Sequence, residues 1–550
     1  MQRYRDIAAA FTRNGFGFIV KELGLQEWLS LPKRILGKEE AAARDTLGKR
    51  VRSFLEELGP TFIKLGQFAS TRADLFPKEI ISELEKLQDQ VPPFSYAEVE
   101  KMIRQELGGP VEDVFAWFDP HPIAAASIGQ VHRAALPTGE AVAVKVQRPS
   151  IRTVVETDLE ILQDLAELAQ QRLKWAERFQ VRKLAQEFAQ AMLAELDYTI
   201  EGRNAERIGR QFKDNPSVLI PKVYWSYTTP TILTMQYVDG IKVNEFEKLK
   251  RLGVHHKRLA QRIVHALFHQ IFNEGFFHGD PHPGNILVLP DETIVFLDFG
   301  LIGRLTPQMK EHFASLVIAL MRQSTEGVVE TVARMGLVPD EVNREQLILD
   351  VDHLRDKYYD VPLSQVSISE AVNDLFSLAY QHQIKIPANL TLLGKALLTI
   401  EGVVEQLDPE ISIVQVAEPF GRRLLLERYH PLKIGEKIVS SGMKLLDVVS
   451  QIPKGVEELA AVIKQGRMHM EITIPELDRL LSKLDRISNR LSFSIVLLAF
   501  SIIMVGLIIG SALGRQQTML WTIPAIEIGL VVAMVMFVWL IYSIFKSGRF

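Results

Sequence analysis

The sequence predicts an α+β chain of two lobes, with a helical extension before them and two transmembrane helices after them. Three observations predict this plan. Strand-like segments and one long helix begin near Phe118, mainly helical patterns follow Asp239-Gly240, and two long apolar runs stand near the C-terminus. Separate strand-rich and helix-rich stretches are typical of α+β folds. The predicted segments are residues 1–117, 118–240, 241–430, 431–490 and 491–546.

The amino-acid composition excludes several kinds of function and site. The chain has 550 residues, with 63 Lys and Arg against 67 Asp and Glu and a formal net charge of -4. Nucleic-acid binding is not expected, because no excess of basic residues would form a positive face. The absence of cysteine excludes disulfides, thiolate catalysis and cysteine zinc sites, and it fits a reducing compartment.

The first segment is predicted to be helical. Residues 1–20 lack the sustained apolar core of a signal peptide, so they are predicted to form a helix that lies at the protein surface or touches a membrane. Residues 45–77 show a helical spacing of apolar residues that is broken at Gly59-Pro60 and stops at Pro77.

The second segment is predicted to contain strands and one long helix. Residues 122–149 are predicted to form three short strands with a hairpin turn at 137–140, and residues 231–238 a further strand. A continuous helix is predicted over residues 181–208. Within the mainly helical third segment, one strand pair is predicted around residues 286–297.

The polar side chains of residues 278–300 indicate phosphoryl transfer. Asp280 and Asn285 stand on the loop "HGDPHPGN", and Asp298 begins "DFG" after a strand-like segment. In phosphoryl transfer a loop carboxylate orients or deprotonates the acceptor, while an amide oxygen and a second carboxylate hold magnesium. The spacing matches the protein-kinase pattern H-R-D-x-x-x-x-N followed by D-F-G, and His278 is predicted to brace the loop. A zinc or metal-hydrolase site is the alternative, which no second His/Asp cluster supports.

A kinase-like site also needs a strand lysine and a helix carboxylate. Lys145 stands in the apolar segment "AVAVKVQRP", which matches V-A-I-K. The long helix offers Glu195, Asp197 and Glu201 as partners, and Asp197 and Glu201 share one helix face. The sequence therefore predicts a two-lobed protein-kinase-like fold.

Two features depart from protein kinases. The stretch "AAASIGQ" at residues 124–130 replaces the loop G-x-G-x-x-G, and its alanine methyl groups limit close backbone approach to phosphates. After DFG, Thr306-Pro307 is predicted to cap and begin a helix, and no A-P-E follows. The platform that would grip a protein substrate is therefore predicted to be missing.

The C-terminal apolar runs predict a transmembrane hairpin. Residues 492–513 and 525–545 are each about the ~20 residues that cross a bilayer as a helix. Basic residues before the first run and after the second place the large soluble part in the cytoplasm. Two buried core helices are the alternative.

Gly506 and Gly510 form GxxxG, which permits close packing either within the hairpin or in a homodimer. The helical tail at 431–490 is predicted to pack on protein or on the bilayer surface.

Together these motifs resemble the UbiB family of kinase-like proteins, over roughly residues 50–430 and in the C-terminal hairpin of bacterial members. The resemblance rests on "KLGQ" at Lys64–Gln67, "AAAS" at Ala124–Ser127, "ELD" at Glu195–Asp197, and "HGDPHPGN" with "DFG". It implies that ATP or ADP and Mg²⁺ bind as cofactors. It also implies a role in isoprenoid quinone biosynthesis at the inner membrane, with membrane lipid, isoprenoid quinone precursors and quinone-biosynthetic enzymes as partners.

The resemblance assigns roles to individual residues. Lys145 would contact the α and β phosphates and pair with Glu201, Asp280 would be the catalytic carboxylate, and Asn285 and Asp298 would hold magnesium. The nucleotide-binding set also includes the alanine-rich loop and the extension motif: Ala124, Ala125, Ala126, Ser127, Lys64 and Gln67. Lys64 and Gln67 would enter the active site on one helix face, anchored by Glu195 and Asp197.

Three functions compete. The first is a membrane-anchored ATPase or unorthodox kinase that supports quinone biosynthesis. The second is a small-molecule kinase resembling aminoglycoside or choline kinases, which the K-x-G-Q motif, the alanine-rich loop and the hairpin disfavour. The third is a nucleotide-gated scaffold for membrane biosynthetic enzymes, although every catalytic position is present.

Overall fold

The computed structural model describes residues 2–23, 46–87, 91–321, 324–335, 342–359 and 367–413, with isolated positions beyond them. These residues form an α+β structure, and its elements, all within the unit of residues 1–437, are named in chain order. The helices are α1 Gln2–Arg13, α2 Gly17–Glu22, α3 Leu47–Leu58, α4 Pro60–Ser70, α5 Lys78–Leu84, α6 Tyr96–Leu107, α7 Val111–Val114, α8 Ile151–Arg172, α9 Lys174–Arg178, α10 Val181–Glu195, α11 Tyr198–Gln211, α12 Phe246–Arg251, α13 His256–Phe268, α14 Pro307–Met321, α15 Thr325–Arg334, α16 Arg344–Tyr359, α17 Ile368–Gln381 and α18 Ala388–Leu407.

The strands build three small sheets. They are β1 Trp117–Phe118, β2 Ala124–Ala125, β3 Gly129–Ala135, β4 Ala141–Gln147, β5 Val218–Leu219, β6 Ile232–Gln236, β7 Ile241–Lys242, β8 Phe276–His278, β9 Ile286–Val288, β10 Ile294–Phe296 and β11 Ile302–Arg304. The first sheet has the order β1-β3-β4-β6 with β2 also paired to β3, the second has the order β5-β10-β9-β7, and the third pairs β8 with β11.

The N-terminal extension breaks where its sequence predicts. Gly59 has a φ of 91°, a left-handed conformation that glycine adopts without strain, and Pro60 begins α4. The helix does not continue to Pro77, however. It ends at Ser70, and α5 begins after Pro77.

The first sheet confirms the three predicted strands and their hairpin turn. β3 and β4 are antiparallel, with Val131 opposite Lys145. Val144 and Val146 are fully buried, so the alternation of a strand places Lys145 on the opposite face of the sheet. The face of Val144 packs on Val99 and Ile103 of α6, so the core of this lobe contains residues on both sides of position 117.

The predicted long helix is two helices. α10 ends at Glu195 and α11 begins at Tyr198. Asp197 adopts an extended conformation between them, and its Oδ1 accepts hydrogen bonds from the Thr199 backbone nitrogen at 3.0 Å and from the Thr199 hydroxyl at 2.7 Å. An aspartate in this N-cap position satisfies the free donors of a new helix, so it favours a fresh start over continuation.

The second lobe confirms the predicted strand pair and adds helices around it. β9 and β10 are antiparallel, with Ile286 opposite Phe296. A turn of π-helix at His269–Glu274 joins α13 to β8, and helices α14 to α18 follow β11. Residues of α13, α18 and the strands share one core that includes Ile263, Phe277 and Ile400.

The predicted membrane hairpin lies outside the described residues except at a few isolated helical positions, and the tail at 431–490 lies wholly outside them. Within the part of the chain that the structure describes, no helix combines the length and hydropathy that a membrane crossing requires.

A buried histidine makes the first lobe sensitive to acid. Gln130 accepts a hydrogen bond from the Phe94 backbone nitrogen through Oε1, so its Nε2 donates to His132 Nε2 at 2.9 Å. His132 Nδ1 donates to the Asp119 carbonyl at 2.8 Å. A second ring proton would face the Gln130 amide donor. Burial lowers the pKa of His132.

We expect this histidine to destabilise the fold as the pH falls through about 6.5, where a histidine of the unfolded chain takes up a proton that folded His132 resists. Between about pH 7.5 and about pH 5.5, the midpoint temperature of thermal unfolding should fall less in His132→Gln than in the wild type. The control His121→Gln changes an exposed histidine and should match the wild type. Equal acid sensitivity in His132→Gln and the wild type would contradict this expectation.

Candidate functional site

Lys145 and Glu201 form an ion pair between the first sheet and α11. Lys145 Nζ lies 2.8 Å from Glu201 Oε2. Lys145 also lies over the ring of Tyr198, with Nζ 4.9 Å from the ring centroid. Glu201 and Tyr198 are buried on one face of α11. The strand thus presents its lysine to a buried carboxylate and an aromatic face together.

The neighbouring carboxylates keep Lys145 in its charged form. Burial alone would lower the pKa of Lys145, but Glu201 and Asp298 outweigh it and raise the pKa well above its ordinary value. Burial raises the pKa of Glu201 and Lys145 opposes that rise, while their 2.8 Å separation is that of an ion pair. Lys145 is therefore a permanent cation in this site.

Asp298 is held as an anion. Solvent reaches its side chain, although protein atoms surround most of it. Burial would raise the pKa of Asp298, but Lys145, the Gly300 backbone amide and Lys64 together lower it. The Gly300 nitrogen donates to Asp298 Oδ1 at 3.2 Å. Asp298 has a φ of 56°, a left-handed conformation that is uncommon outside glycine and often found at functional positions.

The strand register brings Asn285 beside Asp298. Asn285 directly precedes β9, and its carbonyl accepts a 2.8 Å hydrogen bond from the Leu297 nitrogen, which directly precedes Asp298. The Asn285 amide also donates to the Asp280 carbonyl at 3.4 Å. The catalytic-loop segment and the DFG segment are therefore fixed to each other through backbone hydrogen bonds.

His278 braces the loop, as predicted. Its side chain is fully buried, and its Nδ1 accepts a 3.1 Å hydrogen bond from the Asp280 nitrogen. Its Nε2 donates to the Leu297 carbonyl at 2.9 Å. Both ring nitrogens are thus used to hold the two segments together. The side chain has no free nitrogen for chemistry, whereas the neighbouring Asp280 is only partly buried.

The donor set fits a divalent cation that is shared with phosphates. Within the described ranges, no three histidine, aspartate or glutamate side chains are grouped as a complete metal site. Asn285 and the ionised Asp298 supply two hard oxygen ligands from adjacent strand ends. Magnesium bound to nucleotides commonly takes few protein ligands and completes its shell with phosphates and water. The two residues suit that arrangement.

The alanine-rich loop lies close above Tyr198. Ala124 and Ala125 pair with β3, and the Ala126 nitrogen donates to the Gly129 carbonyl at 2.8 Å. A Cβ at Gly129 would clash with the Tyr198 hydroxyl, so glycine is required there. The hydroxyls of Ser127 and Tyr198 are buried and have no hydrogen-bond partner among the described residues. Burying an unpaired hydroxyl costs about 1–3 kcal/mol, so these two hydroxyls suit a polar partner that the structure does not contain.

The extension brings Lys64 to the site. Lys64 Nζ lies 2.6 Å from Glu195 Oε1, and its charge lowers the pKa of Asp298. Gln67 donates to the Leu87 carbonyl at 3.3 Å, a contact within the extension. A Cβ at Gly66 would clash with Leu87, so this glycine permits close packing of the extension's own helices. The structure therefore places Lys64, more directly than Gln67, among the site charges.

The three candidate carboxylates have three different uses. Glu201 pairs with Lys145, and Glu195 pairs with Lys64. Asp197 caps α11 through Thr199, whereas the resemblance implied that it anchors the extension.

Two residues that shape the site were not predicted from the sequence. Tyr198 directly follows "ELD" and shares a helix face with Glu201, and this position could have indicated its role. Arg72 anchors the extension through two parallel bonds of 3.0 Å to Asp74 and one of 2.9 Å to Glu187 on α10. No local pattern marks Arg72, because Glu187 is distant in sequence.

The segment after DFG is short, as predicted. β11 pairs with β8 directly after DFG, and α14 begins at Pro307. The Thr306 hydroxyl accepts a hydrogen bond from the Met309 nitrogen at 3.2 Å, which caps the helix. Residues 301–306 are thus fully used by a strand and a cap, and they leave no length for an activation segment.

We expect Glu201→Gln to weaken nucleotide binding at least about tenfold, because a neutral amide no longer holds Lys145 against the phosphates. Isothermal titration with ATP and magnesium measures this. The control Glu156→Gln removes a glutamate from an exposed ion pair with Arg152 on α8 and should leave affinity unchanged. Equal affinities in both variants would show that the Lys145 pair has no part in nucleotide binding.

We expect Arg72→Ala to destabilise the protein by about 3 kcal/mol, because it leaves the buried Asp74 carboxylate without its partner. Denaturant unfolding gives the free energy, and hydrogen exchange should rise across α4 and α5. The control Arg152→Ala breaks an exposed pair and should change stability by no more than about 0.5 kcal/mol. Unchanged exchange in α4 in the Arg72 variant would contradict the anchoring role.

Comparison with protein families agrees with this geometry. Residues 86–332 match the ABC1 atypical kinase-like domain, residues 351–412 match the UbiB helical domain, and residues 475–546 match the ABC1/UbiB kinase-like C-terminal domain. The matches run in order along the chain, and the first includes every residue of the candidate site from Ala124 to Asp298.

Individual relatives extend over most of the chain. An uncharacterized protein of Synechocystis is 37% identical over 79% of this chain and 75% of its own length. A protein named "Probable protein kinase UbiB" from Xanthomonas euvesicatoria is 34% identical over 82% of this chain and 83% of its own length. "Protein ACTIVITY OF BC1 COMPLEX KINASE 8, chloroplastic" from Arabidopsis thaliana is 34% identical over 85% of this chain and 67% of its own length. This chain belongs to the UbiB family of ABC1 atypical kinase-like proteins.

Proposed function

We propose that this protein is an atypical kinase-like enzyme that uses ATP and Mg²⁺, by hydrolysis or by phosphoryl transfer to a small molecule or lipid, in support of isoprenoid quinone biosynthesis. The observation that carries the proposal is the ion pair of Lys145 and Glu201 beside the ionised Asp298. A fixed cation and an anion that interact with each other through their charges are what the phosphates of a nucleotide and their metal require.

The site residues divide the chemistry. Lys145 would neutralise the phosphate oxygens, and Asn285 with Asp298 would hold the metal. A divalent cation bound there supplies positive charge that lowers the repulsion met by the attacking group. Asp280 would orient the acceptor or water and accept its proton. Its position is fixed by the bond from its backbone nitrogen to His278.

The extension argues for a small or lipidic acceptor. Lys64 reaches the site charges from α4, and its partner Glu195 directly precedes the break before α11. The segment after DFG is too short to form the platform that grips a peptide. A relative carries the words "protein kinase" in its name, but these two features favour an acceptor smaller than a protein.

The pathway and location are part of the proposal. Resemblance to the UbiB family implies isoprenoid quinone precursors as the molecules served, with quinone-biosynthetic enzymes as neighbours. The apolar runs at residues 492–513 and 525–545 support anchoring in the inner membrane with the kinase-like lobes in the cytoplasm. Gly506 and Gly510 would allow a homodimer through the anchor.

Formation of ADP from ATP tests the proposal, because hydrolysis and phosphoryl transfer both leave ADP. The full chain in lipid nanodiscs, with magnesium and a quinone precursor, should form ADP, with free phosphate on hydrolysis or a phosphorylated acceptor on transfer. Asp280→Asn should lower the rate about 100-fold or more while ATP still binds, because a positioned proton acceptor contributes at least that factor. Asp298→Asn should abolish magnesium-dependent ATP binding. Asp113→Asn, at an exposed position of α7, is the matched control and should behave as the wild type.

Two results would overturn the enzymatic proposal. One is ADP formation that Asp280→Asn leaves unchanged. The other is an Asp280→Asn strain that makes quinone at the normal rate, which would favour a nucleotide-gated scaffold. Phosphorylation of a soluble metabolite unrelated to quinone synthesis would instead indicate a small-molecule kinase resembling aminoglycoside or choline kinases.

A further inference from the structure

A hydrophobic cavity lies among the helices of the second lobe, apart from the ATP site. It has a volume of about 150 Å³ and is partly open to the surface. Its walls come from α14 to α18 and the segment that joins α17 to α18, with Phe313, Val329, Val351, Phe376 and Leu393 as representatives. None of these residues belongs to the site described above.

The chemistry of the walls disfavours polar ligands. In the described part of the chain, every residue that lines the cavity has a hydrocarbon, aromatic or thioether side chain or is glycine. Val329, Val351 and Leu393 are buried despite bordering the space. A charged or hydroxylated ligand would lose its hydration there and find no partner, at a cost of several kcal/mol. Water would be held poorly for the same reason.

The size of the cavity suits part of a chain rather than a whole lipid. A cavity of about 150 Å³ with leucine, isoleucine and phenylalanine walls stays dry and binds a molecule the size of benzene. The space here therefore holds a few carbon atoms, such as the end of a tail whose remainder extends through the opening. Burying each methylene group contributes about 0.8 kcal/mol, so such an insertion is favourable.

The cavity shares a helix with the catalytic loop. Leu393 and Gly394 of α18 line the cavity, and Leu392 of the same turn packs on Gly279, where an added Cβ would lie 2.8 Å from it. Asn389 of α18 accepts a 3.3 Å hydrogen bond from the Arg304 nitrogen on β11. A molecule in the cavity would thus contact the helix that supports the loop carrying Asp280.

We propose that this cavity binds the end of a hydrocarbon chain carried by a membrane amphiphile, from an isoprenoid or an acyl lipid. The inference rests on the proposed function in that it names the class of molecule that the enzyme serves. The cavity is a binding site for the tail, and the polar head would remain outside it. The chain is either a branched isoprenoid chain or a linear acyl chain, and the experiment below distinguishes the two.

Photolabelling tests the cavity directly. The full chain in nanodiscs is treated, without ATP, with a diazirine analogue of farnesol or of a linear fatty alcohol of matched length. After irradiation, peptides are mapped by mass spectrometry. Saturable label that unlabelled alcohol displaces should concentrate on lining residues of α15 to α18. Saturable labelling by either probe supports binding of a hydrocarbon chain in the cavity. The probe that labels more strongly shows whether the chain is isoprenoid or linear.

Filling variants connect the label to the space. Val351→Phe should reduce saturable labelling about fivefold or more, because a ring occupies most of a cavity of this size. Val154→Phe makes the same change at an exposed position of α8 and should label as the wild type. If Val351→Phe does not unfold cooperatively, the smaller substitution Val329→Leu replaces it in the test. Its saturable labelling is expected to fall about twofold.

The proposal is overturned if neither probe gives saturable label on the lining peptides. It is equally overturned if a folded filling variant labels like the wild type. Because ATP is absent, a protein that fails to hydrolyse ATP can still pass this test, so failure of the cavity and failure of the proposed enzyme are distinguished.

Discussion

The 2.8 Å ion pair of Lys145 and Glu201 joins the first sheet to α11, and the geometry of the site depends on it. β4 places Lys145 opposite its buried valines, and the start of a new helix at Tyr198 turns Glu201 toward it. Each partner is buried enough that removal of one would leave the other uncompensated. The pair thus holds α11 against the first sheet, and the charge of Lys145 also lowers the pKa of Asp298.

The segment from Glu195 to Glu201 also connects that pair to the extension. Its first residue holds Lys64 and its last holds Lys145, while Asp197 between them ends one helix and begins another. The buried pair of Arg72 and Asp74, joined to the partly exposed Glu187, fixes the extension on α10 a short distance upstream. Lys64 and Lys145 are therefore positioned by one continuous stretch of chain. In the proposed function, Lys145 would bind phosphate and Lys64 would restrict the size of the acceptor.

Much of the arrangement was predictable from local sequence. Alternation along β4, the spacing of Asp280, Asn285 and Asp298, and the cap at Thr306 follow from rules that act over a few residues. Local spacing left Glu195, Asp197 and Glu201 open as partners of Lys145, and the family resemblance selected Glu201, which the structure confirms. The break before α11 was missed, because the apolar periodicity runs through Asp197 without interruption. The anchor at Arg72 and the hydrophobic cavity depend on residues that only tertiary packing brings together. Periodicity reports which face of a helix is buried, and it does not report what that face meets.

A structure of the full chain with a non-hydrolysable ATP analogue and magnesium tests the central claim most directly. We expect the phosphates within hydrogen-bond distance of Lys145 while Glu201 remains paired, the cation between Asn285 and Asp298, and Lys64 still among the site charges. A nucleotide bound elsewhere, or a Lys145 that turns away from it toward solvent, would contradict the account. Displacement of the extension to admit a peptide would contradict the preference for a small or lipidic acceptor.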